Sequence, residues 1–365
     1  MDVDAIVVGA GAVGLAAARA LARRGLVPIV LEREAAIGQG VSSRNSEVVH
    51  AGLYYRTGSL KARLCVEGRR ALYAYCDERG VPYRKCGKLV VATEAAEEPR
   101  LEAILKQAET NSVEGMAMLT GAEVRALEPE LKATAALLSP ESGVFDSHAY
   151  MLALQGEIED AGGAVVLSSP FEGAAPIAGG WSVHVGGAEP TTVTTPRFIL
   201  TAGLGAQAAA AQIDGFPSHA IPTLRYGKGH YFSLTGKAPF EHLIYPPPIP
   251  GALGTHYRKD MGGRAIFGPD LEFVDREDYS VPEARAASFY DTIRRFWPAL
   301  SRGALIPDYA GVRPKLHGPG EPQPDWRIDG REAHGMAGLV AMFGVESPGL
   351  TASLAIGEHA AALLK

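Results

Sequence analysis

Cysteine is scarce in this chain: Cys65, Cys76 and Cys86 are the only three in 365 residues, and no CxxC pair occurs. That spacing excludes a disulfide framework and a cysteine zinc site, and no other metal-ligand cluster stands out. Three reduced, structural thiols fit a reducing compartment, so a cytoplasmic protein is expected. A basic surplus is missing as well. The formal net charge is -6, which leaves little to neutralise a phosphate backbone and argues against nucleic acid as a partner. Pairs such as Arg23-Arg24 and Arg294-Arg295 are read as solvated helix faces. No apolar run reaches the roughly 20 residues of a membrane span. The first apolar run reads as a strand and not as a signal peptide; peripheral membrane attachment would leave little trace and stays open. Repeats and low-complexity linkers are absent. At 47% hydrophobic and 21% charged residues, the composition is that of a packed globular enzyme with one large or two modest domains.

The N-terminus carries the densest signal. Ala5-Ile6-Val7-Val8 reads as a strand and runs into Gly9-Ala10-Gly11-Ala12-Val13-Gly14. A helical stretch over 15–24, Gly25, the apolar run Pro28-Ile29-Val30-Leu31 and then Glu32 follow. This is strand, glycine turn, helix, strand, acid, the dinucleotide-binding order. Gly9 suits the tight turn, Gly11 lets a pyrophosphate approach the backbone, and Gly14 lets helix and strand pack closely. The helix N-terminus presents N–H groups and a positive dipole end to phosphate. Glu32 is placed to accept from a ribose diol. An ordinary βαβ unit would leave Glu32 unexplained.

Periodicity predicts helices over 59–80, 97–110, 120–127, 147–161 and 282–297. Strands are predicted over 89–92, 164–168, 182–186 and 197–201, the last entering Ala202-Gly203-Leu204-Gly205 and an alanine-rich helix. Residues 221–311 read as β-rich, with strands near 228–234, 253–258 and 264–268. Leu339–Phe343 is an apolar strand, 344–349 a glycine turn, and 350–364 a helix with Pro348 suited to its first turn. The fold class is therefore α/β: a discontinuous Rossmann-like domain over 1–82, 146–215 and 312–365, and an antiparallel-β-rich substrate domain over 83–145 and 216–311. A nicotinamide dehydrogenase usually completes its Rossmann domain in one block. Leaving and re-entering the nucleotide fold suits FAD, a long cofactor spanning two domains. A helix N-terminus near Ser347–Thr351 would stabilise the charge that reduction places on the isoalloxazine.

These residues lead to a resemblance. The chain is similar to the FAD-dependent oxidoreductases of the D-amino-acid-oxidase class, and within it to L-2-hydroxyglutarate dehydrogenases and oxidases. The narrowest match is Asn45-Ser46-Glu47-Val48-Val49-His50-Ala51-Gly52-Leu53-Tyr54-Tyr55. Gly58–Ala62, Cys86-Gly87-Lys88-Leu89, Gly143–Asp146, Leu253–Tyr257 and Ser347–Thr351 support it along the chain. Glu47 stands where glycine is expected, Ala51 where serine is common, and Lys228-Gly229-His230-Tyr231 replaces an Arg-Gly-Glu-Tyr-like run expected to face the flavin.

The resemblance implies oxidation of a 2-hydroxy acid to a 2-oxo acid, hydride leaving for flavin N5 while a base takes the hydroxyl proton. L-2-hydroxyglutarate leads as substrate; amino-acid or N-methyl-amine oxidation on the same fold is the alternative. His50 is the first candidate for the base, against a flavin or substrate contact, a covalent flavin link or a structural role. His256 either lines the pocket or sits satisfied in a strand. Arg313 is the best carboxylate anchor, its alternative being a salt bridge. Tyr55, Lys228, His230 and Tyr245 are weaker pocket candidates, and Lys228 or Arg258 could hold a second carboxylate. For the cofactor, Gly9, Gly11, Gly14 and Glu32 lead. Arg33 is expected near the adenine, Ser43 and Asn45 by the pyrophosphate or flavin, and Gly203, Gly344, Gly349 and Leu350 as backbone contacts. The electron acceptor, whether oxygen, a quinone or an electron-transfer protein, stays open.

Overall fold

Three separated stretches of chain build one mostly parallel sheet. The computed structural model describes residues 1–248 and 254–364. Ala5–Val8 lies between Pro28–Leu31 and Phe198–Leu200, parallel to both. Ala164–Val166 extends the sheet on one side, Leu339–Phe343 on the other, and antiparallel Arg327–Asp329 closes that edge. Both faces are covered, which is why these strands read as continuous apolar runs. Alternation divides their side chains. Ala5 and Val7 pack with the helices Ala12–Ala22, Ser147–Asp160 and Ser353–Leu363, whereas Ile6 and Val8 face Trp181, Val183 and the alanines of Ala206–Ala210.

The second sheet has nine strands among the described residues. Lys88–Ala92 runs through its middle, parallel to Leu243–Tyr245 and antiparallel to Ala135–Ser139. Tyr257–Lys259, Ala265–Phe267 and Arg225–Leu234 continue it, and Leu305–Lys315 pairs along nearly the whole of Arg225–Leu234. Phe240, Phe267, Phe289, Phe296 and Trp297 form its core against the helix Ala286–Phe296.

The predicted helices are present as Leu60–Arg79, Glu98–Thr110, Gly121–Leu127, Ser147–Asp160 and Ala286–Phe296. The first is bounded as its sequence suggests: the Ser59 hydroxyl accepts from the Ala62 N–H, and Gly80 ends it at φ +67°.

Several expectations need correction. The strand Gly180–Val185 belongs to a separate antiparallel sheet with Phe171–Ile177 and Thr191–Thr195, neither of which was expected. Gly173 and Pro176 disguise the first, and threonine-rich exposed positions disguise the second. Leu305–Lys315 was hidden by Pro307, Gly311 and Pro314. The change of sheet therefore falls after Lys315 and not at 312. The strand expected over 253–258 begins only at Tyr257, and Leu253 lies outside the described residues. The last helix starts at Ser353; Pro348 sits in the preceding turn, where its carbonyl accepts from the Ala352 N–H.

Candidate active site

The glycine loop follows directly from backbone sterics. Gly9 has φ +102°, and a Cβ there would stand 2.7 Å from the Thr201 carbonyl oxygen. A Cβ at Gly14 would lie 1.9 Å from the Gly9 carbonyl oxygen, so no side chain fits between loop and helix. The Ala12 N–H at the helix start donates to the Ser42 hydroxyl at 3.0 Å. Those of Val13 and Gly14 find no acceptor among the described residues and stay available to an anion. The Glu32 carboxylate accepts from the Ala10 N–H at 2.7 Å and the Glu34 N–H at 3.0 Å, which aims it into the same space.

A cavity of about 410 Å³ runs from this loop to the second sheet. Gly9, Gly11, Gly14, Glu32, Arg33, Asn45, Gly203, Gly344, Gly349 and Leu350 line it, together with His50, His256 and Arg313. The loop cradle and its free N–H groups fit the diphosphate end of FAD, and the turn 344–351 and the imidazoles occupy the far end. The site's geometry thus joins a nucleotide cradle to a polar pocket with proton-transfer groups.

The comparisons agree along the whole chain. The model of the family described as "FAD dependent oxidoreductase" (DAO) matches residues 4–363. The chain belongs to that family. This FAD-dependent oxidoreductase is 43% identical over 98% of its length, and 83% of the relative's, to the protein named "L-2-hydroxyglutarate dehydrogenase, mitochondrial" of Arabidopsis thaliana. The protein of that name from Pongo abelii is 31% identical over 85% of this chain and 79% of its own. Among solved structures, L-alpha-glycerophosphate oxidase of Mycoplasma pneumoniae superposes with a TM-score of 0.89 at 23% identity, covering 99% of this chain and 94% of the other. Glycine oxidase of Bacillus cereus gives 0.80 at 18% identity over 99% and 97%. At those identities the structural matches speak for the fold alone.

In this flavoenzyme His50 is buried, and its backbone N–H donates to the Thr351 hydroxyl at 3.0 Å. Its Nε2 lies 3.3 Å from the Ser347 hydroxyl, and its Nδ1 has no partner among the described residues. Burial, then the nearby Lys88 and His256, hold its pKa well below the ordinary histidine range. His256 stacks on Tyr245, with ring centroids 3.9 Å apart and planes 13° from parallel. Its Nδ1 contacts the Gly254 carbonyl at 3.1 Å, its Nε2 is buried without a partner among the described residues, and burial pushes its pKa down to about 3. Arg313 is held by two carbonyls: Nη2 donates to Asp270 at 2.8 Å and Nε to Gly227 at 3.4 Å.

Six expected contacts are not on the cavity wall. Lys228 and His230 occupy alternate positions of Arg225–Leu234 and turn away from it, while Gly229 and Tyr231 line it. Lys228 Nζ pairs with Asp278 at 2.6 Å, and His230 Nδ1 lies 2.8 Å from the Asp270 carboxylate. The departure from the Arg-Gly-Glu-Tyr-like run thus falls on side chains that contact Asp278 and Asp270 and do not themselves line the cavity. Tyr245 stands behind His256. Ser43 is exposed and donates to the Gly40 carbonyl, leaving its neighbour Ser42 to face the helix start. Tyr55 is not on the wall either: Asn111 donates to its backbone carbonyl at 2.7 Å, and its buried hydroxyl lies among Ser347, Tyr54 and Tyr245. Arg258 is buried beside the site, bonded to the Tyr309 hydroxyl at 3.1 Å and 3.7 Å from the Glu47 carboxylate. Glu47 itself has φ +52°, which accounts for glycine being expected there.

Thr201 and Tyr231, both on the wall, were not among the expected contacts; Ser347 and Thr351, expected there only as part of a helix N-terminus, line it in a turn ahead of the helix. Tyr231 was reachable: alternation from Gly229 puts it on the same face. Asn45 was expected at the cofactor and does line the cavity, but its amide also ties the loop, donating to the Ser42 carbonyl and accepting from the Glu47 N–H, both at 2.7 Å.

The buried imidazoles make stability pH-dependent. Their folded pKa values lie below the unfolded value of 6.5, so the unfolded chain binds more protons below that pH. Folding stability is complete above about pH 6.5 and falls as pH drops from there toward 3. Urea midpoints should therefore fall between pH 7 and pH 5, and His256→Gln should flatten that fall. An unchanged slope in the variant would show that His256 is not the buried neutral group described.

Among the described residues, no helix is long and apolar enough to cross a membrane.

Proposed function

We propose that this flavoenzyme oxidises L-2-hydroxyglutarate to 2-oxoglutarate. The observation that carries the reading is a neutral imidazole and a guanidinium on the wall of one cavity, in a chain 43% identical to a named L-2-hydroxyglutarate dehydrogenase. Arg313 receives the 1-carboxylate, since its fork matches a planar carboxylate. His50 takes the hydroxyl proton on its unprotonated ring nitrogen, and Ser347 holds the ring in place. His256 and Tyr231 complete the wall and position the hydroxyl and the carboxylate-bearing chain. FAD, when bound, supplies the acceptor for the hydride that leaves the α-carbon. Removal of hydride and proton together leaves the 2-oxo acid. Burial excludes water from the proton transfer and keeps His50 unprotonated at neutral pH.

We place the cofactor domain over 1–82, 146–215 and 316–365, and the substrate domain over 83–145 and 216–315. A reducing compartment suits the three free thiols.

Anaerobic mixing with L-2-hydroxyglutarate should bleach the oxidised flavin band near ~450 nm, and the D isomer should not. Bleaching by an amino acid or N-methyl amine, with none by the hydroxy acid, would replace this reading with amine oxidation.

A further inference from the structure

Lys88 presents a problem that folding alone does not explain. Its side chain is fully buried in an interior strand of the second sheet, and its Nζ has no hydrogen-bond partner among the described residues. No carboxylate pairs with it among the described residues. A methionine would fill the same volume without the cost of desolvating an ammonium group. An unpaired buried cation is therefore a mark of function.

Its neighbours show what that function acts on. The register sets Lys88 beside Leu243 and Val90 beside Tyr245, so Lys88 and Tyr245 are near neighbours across the parallel pair. Nζ lies 4.1 Å from the centroid of the Tyr245 ring and 5.7 Å from that of Tyr54. His256 covers one face of Tyr245 at 3.9 Å. The ammonium group must then lie against the other. A row results: Lys88, Tyr245, His256, cavity. The first two lie behind the wall, and the third forms it.

We propose that Lys88 is a positioning residue of the oxidation, fixing through Tyr245 the imidazole that His256 presents to the cavity. This rests on the reading that His256 faces the substrate. The ammonium form attracts the electron-rich ring face, and the ring carries His256. The groups facing Lys88 are Tyr54, Cys65, Cys86, Tyr245, His50 and His256, together with Ser139 directly across the neighbouring strand. None of these supplies an anion at neutral pH. Burial lowers the Lys88 pKa to about 7, so its charge is lost as pH rises through neutrality.

The test compares wild type, Lys88→Met and Lys88→Arg as FAD-loaded enzymes. Anaerobic flavin reduction by L-2-hydroxyglutarate is followed from pH 6 to pH 9. In wild type the second-order rate constant should fall about tenfold through pH 7, the size of a desolvated cation–π contact. Lys88→Arg, always charged, should stay level at the upper value. Lys88→Met should stay level at the lower one. A structural role alone would instead scale the whole profile and leave the wild-type step in place, which would overturn the proposal.

Ring-13C histidine NMR of the holoenzyme gives a second reading without substrate. The His256 signal should step near pH 7 in wild type and not in either Lys88 variant or in Tyr245→Leu, which keeps Lys88 and so covers the case in which the Lys88 variants fail to fold. A step that survives in Tyr245→Leu would overturn the proposal. Because no substrate is present, failure of the hydroxy acid to bleach the flavin would sink the substrate assignment, while the NMR step would still support Lys88.

Discussion

His50→Ala should slow flavin reduction by L-2-hydroxyglutarate by about 10²–10⁴-fold, the usual contribution of a positioned general base. The flavin should stay bound. His50 lies at the pocket end of the cavity, and the glycine cradle, Glu32 and Ser42 hold the opposite end without it. Its main bond to the flavin-side turn comes from its backbone N–H to Thr351, which alanine keeps. The loss should therefore appear in the limiting rate of reduction, with FAD content and melting temperature close to wild type. The pH profile adds a signature. The His50 pKa lies well below 6.5 because burial and the charge of Lys88 oppose protonation, so the base limb should appear only on acidification, and His50→Ala should remove it. If the variant kept more than about a tenth of the wild-type rate, no base would be needed. That result would favour an amine substrate, whose free lone pair makes proton abstraction unnecessary.

Arg313→Met should lower the second-order rate constant of flavin reduction by about 10²–10³-fold, the scale of truncating one member of a buried hydrogen-bonded charge pair. The structure shows why the residue is poised. Two backbone carbonyls, Gly227 on the strand Arg225–Leu234 and Asp270 in the loop after Ala265–Phe267, hold Nε and Nη2, and the residue lines the cavity. Arg313→Lys should recover only part of the loss, because an ammonium group presents a point charge and not a fork. The apparent dissociation constant should carry most of the change, since the arginine holds the carboxylate in ground and transition states alike. An unchanged dissociation constant in Arg313→Met would show that the carboxylate binds elsewhere, with the buried Arg258 the next cation to examine.

The cofactor half was legible because its signals are local. Gly9 and Gly14 are dictated by a backbone turn and a close approach within a few residues, and Glu32 follows one helix and one strand later. The Asn45–Tyr55 run kept its meaning for the same reason: it is one continuous loop and strand leading to His50. The pocket wall was much less legible. Its strands Arg225–Leu234 and Leu305–Lys315 are separated by about 70 residues, and the second is broken by prolines that argue against a strand. Lys228 and His230 look like pocket cations in the sequence. In the structure Lys228 pairs with Asp278 and the His230 ring contacts the Asp270 carboxylate, neither side chain lining the cavity, and Tyr231 takes the inward position between them and Phe232. Ser42 and Ser43 differ by one position in a short turn, and only the turn's path decides which hydroxyl meets the helix.

By itself the sequence determined the nucleotide turn, the order of helices and strands around it and the family, and it singled out His50 as the candidate base. All of these depend on neighbours within a few tens of residues. The tertiary structure decided which polar side chains reach the cavity, which are silenced by ion pairs, and that a lysine lies behind a tyrosine and a histidine. Strand register and distant charges set those outcomes, since a one-residue change of facing turns a ligand contact into a buried ion pair.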